Sequence, residues 1–311
     1  MVGSDGGHVI LSVREANGRW GLSYLHSRYS LNGLARAVAH KLGKSGKHCE
    51  VSVESIWIDG TPQAKAQTSS GAIVNCELAD LLFLLEEKDV SGMVQKETAL
   101  LIQGKATPKY NKLTSGSSTK KERKLLESMD RSMPLVLFKD TKSSSKSQIG
   151  SYILGCIPLG LGDCSRYLLM PKSAAWFAPC YLSIAPFQVG WPSSINSPYL
   201  KRPRSVVEAI QRMALFGDIG KEVIDPSKCE WSRLVNDLRG NYAGIHMAGY
   251  GGQARINTSR EVISFASRLH TSYQSSRNRP PNHPPMTQRS DMEENIVPSI
   301  SIVKVSITYT D

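Results

Sequence analysis

Asp80, Gln103 and Lys105 offer a carboxylate, an amide oxygen and an ammonium, the groups that hold cations through oxygen and anions through charge. Their spacing matters as much as their types. Asp80 and Gln103 directly adjoin continuous apolar runs, LLFLL at 81–85 and ALLI at 99–102, and Lys105 follows two residues on; such runs suit strands buried on both faces. Between the runs, residues 86–95 are mostly charged or polar and include Gly92, the composition of a hairpin connection. A turn centred near residue 91 or 92 sets Asp80 opposite Gln103 across an antiparallel pair. Gln103 and Lys105 are two positions apart on one strand and so project from the same face. The three polar groups are therefore expected together at the open end of one hairpin, on the rim of an apolar core.

The elements that must position this hairpin follow from periodicity. A short strand is expected at 8–13, then a turn at Asn17-Gly18. Leu31, Leu34, Ala35, Val38, Ala39 and Leu42 recur at helical spacing, predicting a helix over 31–43 with Ser30 as N-cap and Gly43 as stop. Residues 51–58 read as a strand ending at Asp59-Gly60, and 60–71 as a polar loop. After the hairpin come a polar loop at 107–118, a charged helix at 119–130 and a strand at 135–138. The order is helix, three strands, helix, strand.

A Ser/Lys loop at 141–147 leads to a mixed β-like region over 149–189. Helices are expected near 204–216, 230–239 and 259–272, the last after a Gly-rich stretch at 240–257. Residues 275–291 hold four prolines and read as a linker or extended arm. The alternating run at 300–307 is a strand that needs a sheet edge to join.

Composition narrows the class of protein. With 311 residues, 40% of them hydrophobic, the chain can bury a substantial core. Its 38 Lys and Arg against 27 Asp and Glu give a formal charge of +11, which favours polyanionic partners such as nucleic acid. Cys49, Cys76, Cys156, Cys164, Cys180 and Cys229 form no CxxC pair and read as reduced, mostly buried thiols. The polar, Gly-rich start lacks a secretion pattern, and no apolar run approaches the roughly 20 residues that span a bilayer. These features read as a soluble cytoplasmic protein without a membrane partner.

Asp80 followed by an apolar strand, then Leu101-Ile-Gln-Gly-Lys105 at the end of the next, resembles the PD-(D/E)xK nuclease signature in its Mrr-like QxK variant. The resemblance covers roughly residues 31–140. It implies an α/β fold with a restriction-endonuclease-like αβββαβ core: a mixed sheet flanked by helices in residues 1–140. Residues 141–274 would be an α+β elaboration, and 275–311 a linker and terminal strand. It further implies a metal-dependent endonuclease acting on DNA, as a regulated effector in restriction or anti-phage defence. Asp80 would bind Mg²⁺ or Mn²⁺, Gln103 would contribute its oxygen, and Lys105 would orient water and stabilise charge on the phosphate. Members of the family often carry an acid on the first helix, but 31–43 has none. Glu77 is the first substitute and Glu54 the second. Protein partners such as a sensor or ATPase subunit, or self-association, would supply control. A fold retained without its chemistry, as a nucleic-acid-binding or scaffolding subunit, is the other reading.

Elsewhere the residues speak less. Lys120, Lys121, Arg123, Lys124 and Arg131 could meet DNA phosphates or form an ordinary solvated face. The same choice holds for Lys201-Arg-Pro-Arg204. Gly249-Tyr-Gly-Gly252 lacks the spacing of a phosphate-binding loop and reads as a turn. His246, His270 and His283 are scattered, with no nucleophile paired to them.

Overall fold

The computed structural model describes residues 18–56, 62–138, 148–155, 159–172, 187–240, 260–266 and 299–310. In chain order the elements are α1 (Gly18–Leu25), α2 (Arg28–Lys44), β1 (Cys49–Ile56), β2 (Gln63–Gln67), β3 (Ile73–Glu77), β4 (Leu81–Lys88) and β5 (Val94–Thr107). They continue with α3 (Ser117–Ser128), β6 (Leu135–Phe138), β7 (Gln148–Tyr152), β8 (Ser165–Pro171), β9 (Gln188–Pro192) and β10 (Leu200–Ser205). The last are α4 (Val206–Phe216), β11 (Lys221–Glu222), α5 (Glu230–Gly240), β12 (Arg260–Ala266) and β13 (Ser301–Tyr309).

This is an α/β protein with a large mixed sheet and a small antiparallel one. The large sheet runs β10-β9-β8-β5-β4-β13-β1-β12, with the short β11 also on β5. Its pairs are antiparallel except β13 with β4 and β5 with β8, which are parallel. The small sheet runs β3-β2-β6-β7.

Strand alternation sorts the side chains into two cores. Leu81, Phe83, Leu85, Ile102, Val303 and Val305 face one way and pack with Leu31, Val38 and Leu42 of α2 and Met213 of α4. Leu82, Leu84, Leu101, Tyr167 and Leu169 face the other way. They meet Leu125 and Leu126 of α3, Trp231 and Leu234 of α5, and Ala64 and Leu137 of the small sheet. The second face is the one that carries the polar triplet.

The helices predicted at 31–43, 119–130, 204–216 and 230–239 form as α2, α3, α4 and α5. Helix α2 starts earlier than predicted because Ser27 is its N-cap, its hydroxyl accepting from the Ser30 N–H at 3.2 Å. The helix expected at 259–272 is a correction, since Arg260–Ala266 is a strand antiparallel to β1. Val262, Ile263 and Phe265 favour a strand once β1 offers an edge. The loop expected at 60–71 contains β2, where the small residues Ala64 and Ala66 are buried and Lys65 is exposed. Strand 135–138 forms, yet it pairs with β2 in the small sheet; the place beside β5 belongs to β8.

The run at 300–307 finds its edge inside the sheet, as β13 between β1 and β4. Residues after 140 therefore complete the sheet that earlier residues begin. The expected strand at 8–13, the Gly249–Gly252 turn, the proline-rich arm at 275–291, Cys156, Cys180, His246, His270 and His283 lie outside the described residues. No helix among the described residues is long and apolar enough to cross a membrane.

Candidate active site

The β4–β5 register pairs Leu81 with Ile102, so Asp80 stands opposite Gln103. Strand pairing carries through this point: the Asp80 N–H donates to the Ile102 carbonyl at 2.9 Å. Asp80 Oδ2 accepts from Gln103 Nε2 at 2.5 Å and from the Gly104 N–H at 2.8 Å. Gln103 is buried, and its Oε1 has no hydrogen-bond partner. Gly104 turns to the opposite face, where a Cβ would lie 3.0 Å from Leu22 Cδ2 and 3.1 Å from Met170 Cε. The absence of a side chain there lets α1 and β8 close behind the site.

Lys105, two residues on, pairs its Nζ with Glu122 Oε2 of α3; the side chains are 14% and 3% exposed. Glu122 Oε1 in turn accepts from the Ser118 hydroxyl at 2.5 Å. Burial pushes the Asp80 carboxyl up to about 7. The Lys105 ammonium and the Gly104 N–H pull it down, while Glu77 and Glu122 push it further up. Cys76 lies in the same field: its thiol is raised to about 12, first by burial and then by Glu122 and Glu77. It stays neutral.

The expected residues thus divide. Asp80, Gln103 and Lys105 meet at one hairpin end, and Glu77 acts on Asp80 from the exposed end of β3. Glu54 sits elsewhere. It pairs with Lys304 Nζ at 3.2 Å, and Lys304 lies opposite Leu84, well along β4 from Asp80. Strand β13 lies between β1, which carries Glu54, and the β4–β5 hairpin.

Helix α3 contributes what sequence reasoning missed. Glu122 is a buried acid beside the triplet, and it lies at helical spacing with Leu125, Leu126 and Met129 on the packed face. That spacing was the available signal. Lys120, Lys121 and Lys124 are exposed. Arg123 is not among the exposed cations: its Nε and Nη2 donate to Glu127 at 2.5 and 2.9 Å, and Nη2 also reaches the Ser197 carbonyl at 2.8 Å. Arg131 is buried as well, donating to Asp163 at 2.7 Å and the Leu154 carbonyl at 2.9 Å. Both guanidiniums tie α3 and the turn after it into the fold.

Beyond the triplet, Tyr167 of β8 lies opposite Gln103 and donates its hydroxyl to Glu127 Oε1 at 3.0 Å. Among the described residues no group of three His, Cys, Asp or Glu side chains is arranged to hold a metal ion. The oxygen donors at the triplet are the Asp80 carboxylate and the orphaned Gln103 carbonyl, a hard pair of the kind Mg²⁺ takes alongside several waters.

Comparison with known proteins gives no matching family model, no matching curated protein and no matching solved structure.

Proposed function

We propose that this protein is a metal-dependent endonuclease of restriction-endonuclease-like design that hydrolyses DNA phosphodiesters. The observation that carries the reading is the register that sets Asp80 against Gln103 with Lys105 on the same face. Support for the reading also comes from α2 and β1 before the hairpin, α3 after it, and β8 lying parallel beside β5, although β2 and β3 intervene in the chain and β13 in the sheet.

Asp80 and Gln103 would hold Mg²⁺ or Mn²⁺. The orphaned Gln103 oxygen supports this role: a half-turn of the amide brings it toward Asp80, where only a cation or a proton would stabilise two facing oxygens. When bound, the ion supplies Lewis-acid polarisation of the phosphate and a more acidic water. Lys105, fixed by Glu122, places a positive charge where negative charge accumulates on the phosphate in the transition state. Lys120, Lys121 and Lys124 supply exposed charge for the DNA backbone. Control by a sensor or ATPase subunit, or by self-association, belongs to the same proposal.

A second reading has its own observation. Lys105 is already paired with Glu122, and Asp80 Oδ2 already accepts from the Gln103 and Gly104 N–H groups. A site closed on itself suits a nuclease-fold subunit that binds nucleic acid without cutting it.

Plasmid cleavage with Mg²⁺ or Mn²⁺ separates the two. Cutting by the wild type should vanish in Asp80→Asn and fall at least about a hundredfold in Lys105→Ala, the scale for losing one stabilising charge. A chain that binds DNA equally in chelator and in Mg²⁺, yet never cuts even with co-purified partners, is the scaffold.

A further inference from the structure

The loop that leaves β5 just after Lys105 has an unusual composition. From Lys105 to Lys121 the chain carries Lys105, Lys109, Lys112, Lys120 and Lys121 and not one Asp or Glu. A second acid-free stretch, 187–207, contains Lys201, Arg202 and Arg204. The fold sews the two stretches together. The Leu113 N–H donates to the Pro198 carbonyl at 2.8 Å, the Leu200 N–H donates to the Asn111 carbonyl at 2.9 Å, and Lys112 and Tyr199 form an isolated bridge.

Two tyrosines stand out on this seam, Tyr110 at 41% and Tyr199 at 48% exposure. Lys112 Nζ lies 5.3 Å from the centroid of the Tyr199 ring. Among the described residues, Lys109, Lys112, Lys201 and Arg202 take part in no ion pair, whereas Arg204 is bound to Glu208 and Arg123 to Glu127. Strand β10 is also bent: its register shifts between Lys201 and Arg204, and Arg202 holds a φ of 46°. A side chain in that left-handed region on a bulged edge strand carries strain, and such bulges re-aim side chains outward.

We infer that this seam is a binding surface for a single strand of nucleic acid, with Tyr110 and Tyr199 stacking on bases and Lys109, Lys112, Lys201 and Arg202 meeting phosphates. Unpaired cations in an acid-free strip select a polyanion. The exposed aromatic rings between them select one whose bases are free to stack, which a closed duplex does not offer. The identity of the polyanion rests on the nuclease reading. The seam would then be where a strand runs on after it passes Lys105.

The test is fluorescence anisotropy of the full chain with a labelled oligothymidylate and with a duplex, both in chelator so that cutting plays no part. The single strand should bind more tightly than the duplex. Tyr199→Ala and Tyr110→Ala should each weaken it about tenfold, the effect of losing one stacked base, while Tyr199→Phe, which keeps the ring, should bind as the wild type does. Lys112→Gln and Lys201→Gln should each lower the salt slope by about 0.7, as for one phosphate contact on a single strand. Absence of wild-type binding at low salt, or tyrosine variants that bind normally in a folded chain, overturns the inference. So does equal affinity for duplex and single strand. Loss of binding in the seam variants with no cutting by the wild type keeps the surface and removes the nuclease; cutting lost in Asp80→Asn with seam variants that bind normally does the reverse.

Discussion

Two buried ionisable side chains hold opposite proton accounts. His26, in the turn between α1 and α2, contacts the Ser55 hydroxyl through Nδ1, and burial lowers its pKa from 6.5 to about 3. Between those values the unfolded chain binds a proton on this ring and the folded chain does not, so His26 lowers stability as pH falls. Asp80, held up at about 7, works in the opposite sense over the same range. The net curve therefore conceals both, and the measurement is a comparison. Denaturant unfolding of wild type and His26→Gln from pH 6.5 down to about 5 should show the variant gaining on the wild type by up to about 1.4 kcal/mol per unit. A constant difference would mean that the ring takes up its proton equally in the folded and unfolded chains. At this scale the triplet was legible because a strand's period is fixed at two and apolar runs on both sides pin the register. Glu122 was hidden by the lysines around it in the sequence, although its spacing to Leu125, Leu126 and Met129 placed it on the packed face. The position of Glu54 was not legible, because nothing in the sequence signals that β13, more than 240 residues later, separates β1 from β4.

Helix α3 connects the site to the rest of the fold, and the turn at 159–164 holds its end. The Gly160 N–H donates to the Met129 carbonyl at 2.8 Å and the Leu161 N–H to the Leu126 carbonyl at 2.6 Å. Gly160 has a φ of 67°, and a Cβ on it would lie 2.3 Å from the Leu126 oxygen. Gly160→Ala combines left-handed strain with a backbone collision. We expect a loss of about 2 kcal/mol or more in unfolding free energy, read by denaturant titration. Because α3 carries Glu122, the same variant should also weaken any cutting. Helices were the easiest elements to read, since a 3.6-residue apolar period runs through α2, α4 and α5. Strand β2 escaped notice because Ala64 and Ala66 are too small to make its alternation conspicuous. The short run that became β12 fits either period, and the edge of β1 decided it.

Across the whole molecule, the large sheet depends on β13, the last of the described elements in chain order. β13 contributes Val303, Val305 and Ile307 to one core and Ile302 to the other, and it bonds to β1 and β4 at once. A chain ending at residue 298 would leave β4 and β1 with open edges and an unfilled gap between them. Circular dichroism and thermal unfolding of that truncation should show loss of the cooperative transition, whereas a merely decorative strand would lower the midpoint by a few degrees. The sequence announced β13 as a strand in search of an edge, but not its place, because parallel pairing with β4 leaves no local mark. The arrangement also sets a schedule for synthesis. The β4–β5 hairpin is complete at Thr107, while β13 ends at Tyr309, about 200 residues later, or roughly 10 to 40 seconds of translation. During that interval Asp80, Gln103 and Lys105 are already synthesised on their hairpin, but the sheet that stiffens it is not, so a ribosome-bound chain holds the triplet without the frame that fixes its geometry.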